Sequence, residues 1–320
     1  MAGNTGRKSA ITADAMEDLR RELVSRIARL LGSSEKQATA VRRLTLHQRT
    51  AFTASCPVTY EPSVIIVAQG SKQVQIGNQT LTYDPSRYLL ISVDLPTVTR
   101  VAEASGKVPC LAASLKLDMS IVREFLSREA FHLPNAPSEN HAMSIAAVTP
   151  EFLSAWCSLL DLLSKPDDIP FLSDLVEREI VYRILRGPEG ARLRAIATLG
   201  DKSNRTAKAV GWIKSNYRKP LRVEELAEIA GMAVSTLHHS FRALTSMSPL
   251  QYQKQIRLQT ARAQMLAGDV DAATAAFAVG YESASQFNRE YSRLFGQPPV
   301  RDIRNLRSQG TPKLESITAA

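Results

Sequence analysis

The sequence predicts an α+β chain, in which a β-rich N-terminal unit with flanking helices is followed by an all-helical C-terminal unit. Between about Leu44 and Leu117, short apolar runs are separated by turn signals roughly every ten residues. From Met119 onward, apolar residues recur instead at helical spacing. A length of 320 residues fits two domains, which we place at residues 1–200 and 201–310.

The N-terminal unit is predicted to begin with a helix and to continue in short strands. Met16–Leu31 has apolar residues at helical spacing, and Gly32 is a typical helix end. The hairpin signal Gly77-Asn78 and the turn signal Asp84-Pro85 divide the apolar runs that follow. We predict strands at Val64–Ala68, Lys72–Ile76, Thr80–Tyr83, Tyr88–Val93 and Cys110–Leu117. Short strands with regular turns indicate a small barrel or sandwich.

Helices are predicted after the strands. They span Met119–Glu129, Glu151–Leu163 and Phe171–Leu185. Asp118 is placed to cap the first of them, and the Pro- and Asn-rich segment His132–Asn140 follows it. The other two are amphipathic, so they either pack within their own unit or form a dimer face. We expect a linker between Gly190 and Asn204, at the start of the C-terminal unit.

The positive charge of the chain is concentrated in its C-terminal third. The formal net charge is +9, and Arg192–Arg307 alone has 18 Lys and Arg against 9 Asp and Glu. Such an excess is typical of a protein that binds a polyanion, although a solvated basic surface is the alternative. The sequence has no apolar run of membrane-spanning length and no signal peptide at its start, so we expect a cytoplasmic protein. Three cysteines without a C-x-x-C pair argue against a disulfide framework or a cysteine zinc site.

The last hundred residues contain a degenerate repeat. Ala227 and Gly231 recur 49 residues later as Ala276 and Gly280. Five further pairs are 50 residues apart: Ser235 and Ser285, Leu237 and Phe287, Phe241 and Tyr291, Leu244 and Leu294, and Pro249 and Pro299. One extra residue therefore lies in the turn of the second copy.

Each position of the repeat has a structural role. A small residue such as Ala227 lets a second helix cross closely, and a glycine such as Gly231 suits the backbone conformation that ends a helix. Ser235 or its neighbour, and Ser283, are placed to cap the next helix. The apolar residues at i, i+4 and i+7 then face a core. This is the layout of a helix-turn-helix, whose second helix enters the DNA major groove. Two copies at a fixed offset on a basic segment favour DNA binding over a helical repeat with another role.

The segment between the copies, Leu250–Leu266, contains no helix breaker and predicts one continuous helix. At about 1.5 Å per residue it is roughly 25 Å long. Successive major grooves on one face of DNA are about 34 Å apart. One chain is therefore expected to hold two recognition helices at the spacing of neighbouring grooves.

These residues resemble a known family. The segment GYESASQFNREYSRLFGQPP, Gly280–Pro299, is similar to the signature of the AraC/XylS family of transcriptional regulators, and LAEIAGMAVSTLHHSF, from Leu226, resembles the other half of the same domain. The match spans about Ala207–Leu306. A second stretch, Tyr60–Pro96, resembles the cupin-like N-terminal domain of one AraC subfamily. The resemblance implies a bacterial regulator with a cupin-like β-barrel that binds a small organic effector and takes part in dimerisation. It also implies promoter DNA and RNA polymerase as partners, activation as the mode of regulation, and no cofactor.

Roles in DNA binding follow from the match of the two recognition helices, Ser235–Leu244 and Ala284–Phe295. The expected DNA-facing residues lie between the core positions of these helices. They are Ser235, Thr236, His238, His239 and Arg242 in the first, and Ala284, Ser285, Asn288, Arg289, Ser292 and Arg293 in the second. Arg289 suits a bidentate contact to guanine and Asn288 suits adenine, with solvated surface or a phosphate contact as the alternative for each. The expected phosphate contacts are Arg242, Arg257, Arg262, Arg293 and Arg301.

The sequence also gives candidates for an effector site and two alternatives to a regulator. The candidates for an apolar effector pocket, for which core packing is the alternative, are Val64, Val67, Tyr83, Tyr88, Leu90 and Val93. One alternative function is a cupin-type metalloenzyme, but His47, His132 and His141 form no His-x-His pair, so we expect no metal and no catalytic site. The other is an architectural DNA-binding protein without sequence preference.

Overall fold

The computed structural model describes residues 3–77, 79–128, 141–268 and 270–308. Asn78 of the predicted hairpin turn and the predicted break His132–Asn140 lie outside these residues. Within the described part, the predicted α+β architecture is confirmed: a β-rich N-terminal half is followed by a helical C-terminal third.

The N-terminal half is built on ten described strands. They are β1 (Lys36–Ala38), β2 (Leu44–Arg49), β3 (Cys56–Tyr60), β4 (Ser63–Gln69), β5 (Ser71–Ile76), β6 (Gln79–Tyr83), β7 (Arg87–Ile91), β8 (Leu95–Glu103), β9 (Cys110–Lys116) and β10 (Met143–Ala147). The five strands predicted individually correspond to β4, β5, β6, β7 and β9. Pro57 in β3 and Pro96 in β8 obscured two others, because proline is depleted in strands and interrupts the pattern by which they are recognised.

The strands form two antiparallel sheets that enclose a common core. One sheet has the order β1-β2-β9-β4-β7-β10, and the other has the order β3-β8-β5-β6. The predicted hairpin joins β5 to β6, with Ile76 opposite Gln79 and with Gly77 at a φ of 55°. Side chains from both sheets, among them Val67 of β4 and Val74 of β5, meet in one apolar cluster. The predicted small barrel is therefore seen as two facing sheets, which we call the sandwich.

Twelve α-helices are described. They are α1 (Gly3–Leu31), α2 (Met119–Leu126), α3 (Pro150–Asp161), α4 (Ile169–Arg186), α5 (Gly190–Ala197), α6 (Lys202–Asn216), α7 (Val223–Ala230), α8 (Val234–Thr245), α9 (Pro249–Ala267), α10 (Ala272–Ala278), α11 (Ala284–Phe295) and α12 (Pro299–Ser308). The helix predicted from Met16 thus begins earlier, at Gly3. Asp118 caps α2 as predicted, since its side chain accepts a hydrogen bond from the Ser120 amide.

Helices α1, α3 and α4 cover the outer face of the six-stranded sheet. Apolar residues of these helices, such as Ile27 and Trp156, pack with Leu46 and Leu115 of the sheet in a second buried cluster. The six-stranded sheet is therefore buried on both faces, which gives it a fixed position between the helices and the four-stranded sheet.

The linker expected between Gly190 and Asn204 is wrong. This segment forms α5 and the start of α6, and Leu193, Ile196 and Ala197 are buried. Ile196 packs in the same cluster as the interior of the sandwich and the first helices of the C-terminal third. The apolar residues of α5 thus pack the two halves together. The glycines and the proline around the start of α5 had indicated a linker instead.

Candidate nucleic-acid interface

The two predicted helix-turn-helix units are confirmed as α7–α8 and α10–α11. Both turns have the same hydrogen bonds. The Met232 amide donates to the Ala227 carbonyl and the Tyr281 amide to the Ala276 carbonyl, at 2.9 and 3.0 Å. In each turn the glycine has a positive φ, 63° at Gly231 and 93° at Gly280. These pairs close Schellman motifs, in which the first helix ends at a left-handed residue.

The two turns differ in how they cap the recognition helix that follows. Ser283 caps α11 by accepting a hydrogen bond from the Gln286 amide, as predicted. The residue before α8 is Ala233, which has no capping side chain, and Ser235 lies inside the helix. Ser235 therefore does not cap α8. The second recognition helix has the better N-terminal cap.

The core positions of the recognition helices face inward as the repeat predicts. Leu237, Phe241 and Leu244 of α8 are buried, as are Phe287 and Tyr291 of α11. The ring of Phe241 meets that of Tyr252 edge to face, and Tyr281 meets Phe287 in the same way, with centroids 5.5 and 5.3 Å apart. These contacts fix the rotation of each recognition helix about its axis, and so fix which side chains point outward.

The predicted DNA-facing residues lie on the outward faces. All five predicted residues of α8 are exposed: Ser235, Thr236, His238, His239 and Arg242. In α11, Ala284 and Ser292 are half-buried, and the exposed ones are Ser285, Asn288, Arg289 and Arg293. In the described part of the chain, no ion pair or side-chain hydrogen bond occupies the basic and amide groups of Asn288, Arg289 and Arg293. The side chains of α11 are thus free to meet base edges, although their role in DNA binding stays a prediction.

The predicted connector is a single helix, α9. It begins with a capping box, in which the Ser248 hydroxyl accepts from the Gln251 amide and the Gln251 side chain accepts from the Ser248 amide. It is 19 residues long, which corresponds to about 28 Å. Its length therefore agrees with two recognition helices in successive major grooves.

Two of the five predicted phosphate contacts are wrong in this arrangement. Arg262 is buried and forms an ion pair with Asp302, with Nε 2.7 Å from Oδ2, while its guanidinium lies over the Phe295 ring at 4.4 Å. Arg257 donates to the carbonyls of the loop before α7. Both guanidinium groups are used to hold helices together. Arg242, Arg293 and Arg301 are exposed, so their phosphate contacts remain predictions.

The first helix-turn-helix unit is docked on the sandwich through an ion cluster. Lys214 Nζ of α6 lies 2.9 Å from Glu61 Oε1 and 2.6 Å from Asp94 Oδ1. Burial alone would raise the pKa of Glu61, but hydrogen bonds from Lys116 and Lys214 lower it below its usual value. Burial raises the pKa of Asp94, because the contact with Lys214 only partly offsets the lost hydration. The cluster links α6 to the turns that precede β4 and β8.

Further contacts extend this junction to the recognition helix. The Ala142 amide donates to the Leu244 carbonyl near the end of α8, at 2.8 Å. The Tyr252 hydroxyl of α9 donates to the Asp94 carbonyl, at 2.9 Å. Both Leu244 and Tyr252 also belong to the apolar cluster that fills the sandwich. The orientation of the first unit is thus coupled directly to the packing of the N-terminal half.

The six candidates for an effector pocket do not line one cavity. Val64, Tyr88 and Leu90 face the helices on one side of the six-stranded sheet, whereas Val67, Tyr83 and Val93 face the core between the sheets. All six are buried. The prediction grouped residues from opposite faces, because neighbouring positions along a strand point in opposite directions.

A separate surface depression of about 780 Å³ lies elsewhere on the sandwich. Its lining includes Arg20, Asp84, Glu103 and Val108, and none of the six predicted pocket residues. His47 lies in β2 with its Nε2 2.9 Å from the Ser114 hydroxyl, and burial lowers its pKa well below the usual value. This hydrogen bond joins the neighbouring strands β2 and β9 of the six-stranded sheet.

Within the described ranges, no three His, Cys, Asp or Glu side chains are grouped so that they could hold a metal ion. No described helix has the length and apolar character required to cross a bilayer.

The sequence is similar to known regulators over both halves. Residues 40–192 match the AraC-type transcriptional regulator N-terminus, and residues 226–305 match a helix-turn-helix domain. The HTH-type transcriptional activator RhaS of Yersinia pestis (strain Pestoides F) is 30% identical over 109 residues, 34% of this chain and 38% of that protein. The HTH-type transcriptional regulator ArgR of Pseudomonas aeruginosa is 28% identical over 153 residues, 48% of this chain and 46% of that protein. The matched region is thus less than half the length of either relative.

A solved structure has a similar fold over both halves of the chain. Unsaturated fatty acid-bound ToxT from Vibrio cholerae superposes with a TM-score of 0.55 at 12% identity, covering 81% of this chain and 94% of that chain. The likeness at this identity concerns the fold alone, and it includes both the sandwich and the paired helix-turn-helix units. An AraC-type transcriptional regulator N-terminus and a helix-turn-helix domain together span most of the chain, which therefore belongs to the AraC/XylS family of transcriptional regulators.

Proposed function

We propose that the chain binds promoter DNA at specific sequences through α8 and α11 and regulates transcription of nearby genes, as an activator that responds to a small organic effector. The observation that carries the proposal is the duplicated helix-turn-helix. Its apolar positions are buried in two cores, while predicted DNA-facing side chains such as His239 of α8 and Arg289 of α11 are exposed on the recognition helices. Such a pair of outward polar faces on one rigid connector suits base-specific contacts in neighbouring major grooves.

We assign residues 1–200 to effector sensing and residues 201–310 to DNA binding. ToxT, which has the same fold, was crystallised with an unsaturated fatty acid bound, and this supports an organic effector for the present chain. The route for its action is the junction at Lys214, Tyr252 and Leu244, since a change in packing of the sandwich reaches α6, α8 and α9 there. An effector must favour one arrangement of this junction over another to alter DNA binding.

Homodimerisation and contact with RNA polymerase are part of the proposal. Helix α4 has exposed apolar side chains, with Phe171 at 77% and Leu175 at 60% exposure. Apolar side chains on one exposed helix face support association with a second copy. The relative RhaS is a transcriptional activator, which supports activation of transcription and contact with RNA polymerase by this chain.

An architectural protein without sequence preference is the alternative, and site selection separates the two. Purified protein is incubated with a pool of random duplexes, and bound DNA is amplified and sequenced over several rounds. We expect an enriched motif in two segments, about one helical turn of DNA apart. A pool that binds but remains random in sequence would favour the architectural alternative.

A further inference from the structure

The loop between α6 and α7, Tyr217–Arg222, lies between the two helix-turn-helix units. The side chain of Tyr217 packs against the core of the first unit and also against the core of the second. A Cβ atom added to Gly280, in the turn of the second unit, would lie 2.2 Å from the carbonyl oxygen of Arg218. The loop therefore contacts the turn that leads into α11, while its own end leads directly into α7.

The backbone of this loop is held from the middle of α9. Gln253 Nε2 donates to the carbonyls of Tyr217 and Lys219, at 3.1 and 2.7 Å. Arg257 Nε donates to the Tyr217 carbonyl at 2.6 Å, and its Nη2 donates to the carbonyls of Arg218 and Lys219 at 3.3 and 2.9 Å. With three successive carbonyls directed at α9, the loop has little freedom to move.

The loop lies on a different face of α9 from the sandwich. Tyr252 and Gln259 contact the sandwich, through the Asp94 carbonyl and the Thr59 hydroxyl. Gln253 and Arg257, which hold the loop, are roughly 100–160° away from these two residues around the helix, at about 100° per residue. The sandwich therefore leaves the loop uncovered.

The loop also carries positive charge on its surface. Arg218, Lys219 and Arg222 are exposed, and across the described ranges none of them forms an ion pair with a carboxylate. Arg218 is directed by its neighbour Tyr217, since its guanidinium lies 5.6 Å from the Tyr217 ring centroid and its Nε donates to the Tyr217 hydroxyl at 3.3 Å. Three cations on one fixed, exposed loop create a positive potential that favours binding of a polyanion.

We infer that Arg218 and Lys219 form a phosphate-binding clamp that grips the DNA backbone between the two major grooves read by α8 and α11. When two recognition helices enter successive grooves, the backbone strands that flank the intervening minor groove face the protein between them. The loop is fixed at the middle of the connector and touches both units, so its cations meet that stretch of backbone. The clamp takes over the role that the sequence assigned to Arg257, whose guanidinium instead positions the loop.

The inference rests on the proposed function, and one set of measurements separates their failures. The variant Arg218→Gln/Lys219→Gln is compared with the unmodified protein and with Lys107→Gln/Lys165→Gln. The control removes two exposed lysines from the N-terminal half, so its net charge equals that of the clamp variant. Affinity is measured against salt concentration for a duplex selected by the unmodified protein and for a random-sequence duplex.

The clamp variant should lose two phosphate contacts. The slope of log affinity against log salt concentration should decrease by about 1.8, at about 0.9 per contact, while the control slope stays unchanged. Hydroxyl-radical footprints of the clamp variant should lose protection between the two contacted grooves but keep it within them. Equal slopes for the variant and the control, or unchanged central protection, would overturn the clamp while leaving the proposed function intact. If the unmodified protein binds neither duplex, both proposals fail.

Discussion

The two glycines of the helix-turn-helix turns offer a matched pair of substitutions. Both have a positive φ, at which an alanine costs roughly 1–2 kcal/mol relative to glycine. A Cβ atom at Gly231 would meet nothing within 4 Å, whereas one at Gly280 would lie 2.2 Å from the carbonyl oxygen of Arg218. Because that oxygen is backbone held by Arg257, it cannot move aside at low cost.

Gly231→Ala should therefore lower the free energy of unfolding by about 1–2 kcal/mol, the backbone cost alone. Gly280→Ala adds an overpacking cost of about 1–3 kcal/mol, which gives a total of about 2–5 kcal/mol. Gly280→Val should be at least as damaging. The assay is urea denaturation followed by circular dichroism, with hydrogen exchange of the Tyr281 amide as a local measure. Equal losses for the two alanine variants, or an unchanged stability of Gly280→Ala, would refute the assigned contact between the turn and the loop.

Three further predictions concern DNA contacts, the junction and pH. Arg289→Ala should cost about 1–3 kcal/mol on the selected site and relax base preference there; an equal loss on random DNA would indicate a phosphate contact instead. Lys214→Met should lower the free energy of unfolding by about 2 kcal/mol, because Glu61 and Asp94 lose their shared cation, and a change below about 0.5 kcal/mol in urea denaturation would contradict that role. Hydrogen bonds from Ser120, aided by the cation of Arg43, lower the pKa of Asp118 to about 2. Its charge thus stabilises the fold above the unfolded pKa of about 3.9, and this contribution is lost as pH falls toward 2. Asp118→Asn keeps a capping side chain, so the difference in melting temperature from the unmodified protein should shrink between pH 4 and pH 2; a constant difference would contradict the assignment.

The C-terminal repeat could be predicted from the sequence because each of its signals is local. The glycines and the apolar spacing act over one or two helical turns. In the structure both glycines have a positive φ in the turns, and the apolar positions pack into the cores. The exception at Ser235 is also local, since a cap is defined by a single residue. The sequence does not show that α8 begins after Ala233, two residues before the serine that could have capped it.

The errors arose where distant parts of the chain meet. Arg257 and Arg262 look like other exposed arginines in the sequence, and their partners, the Tyr217 carbonyl and Asp302, lie 40 residues away. Segment α5 is an ordered helix, and not a linker, because Ile196 is buried against distant parts of the chain. The prediction of the pocket residues depends on their apolar character, which does not distinguish the two faces of a strand buried on both sides.

The central claim is that one chain reads two adjacent DNA segments, one with each recognition helix. Site selection repeated with Arg289→Ala and with His239→Ala, residues at matching positions of α11 and α8, tests it most directly. The account predicts a two-part motif for the unmodified protein, with each variant losing base preference in a different segment, about ten base pairs apart. A motif of one segment, or loss at the same segment in both variants, would contradict it.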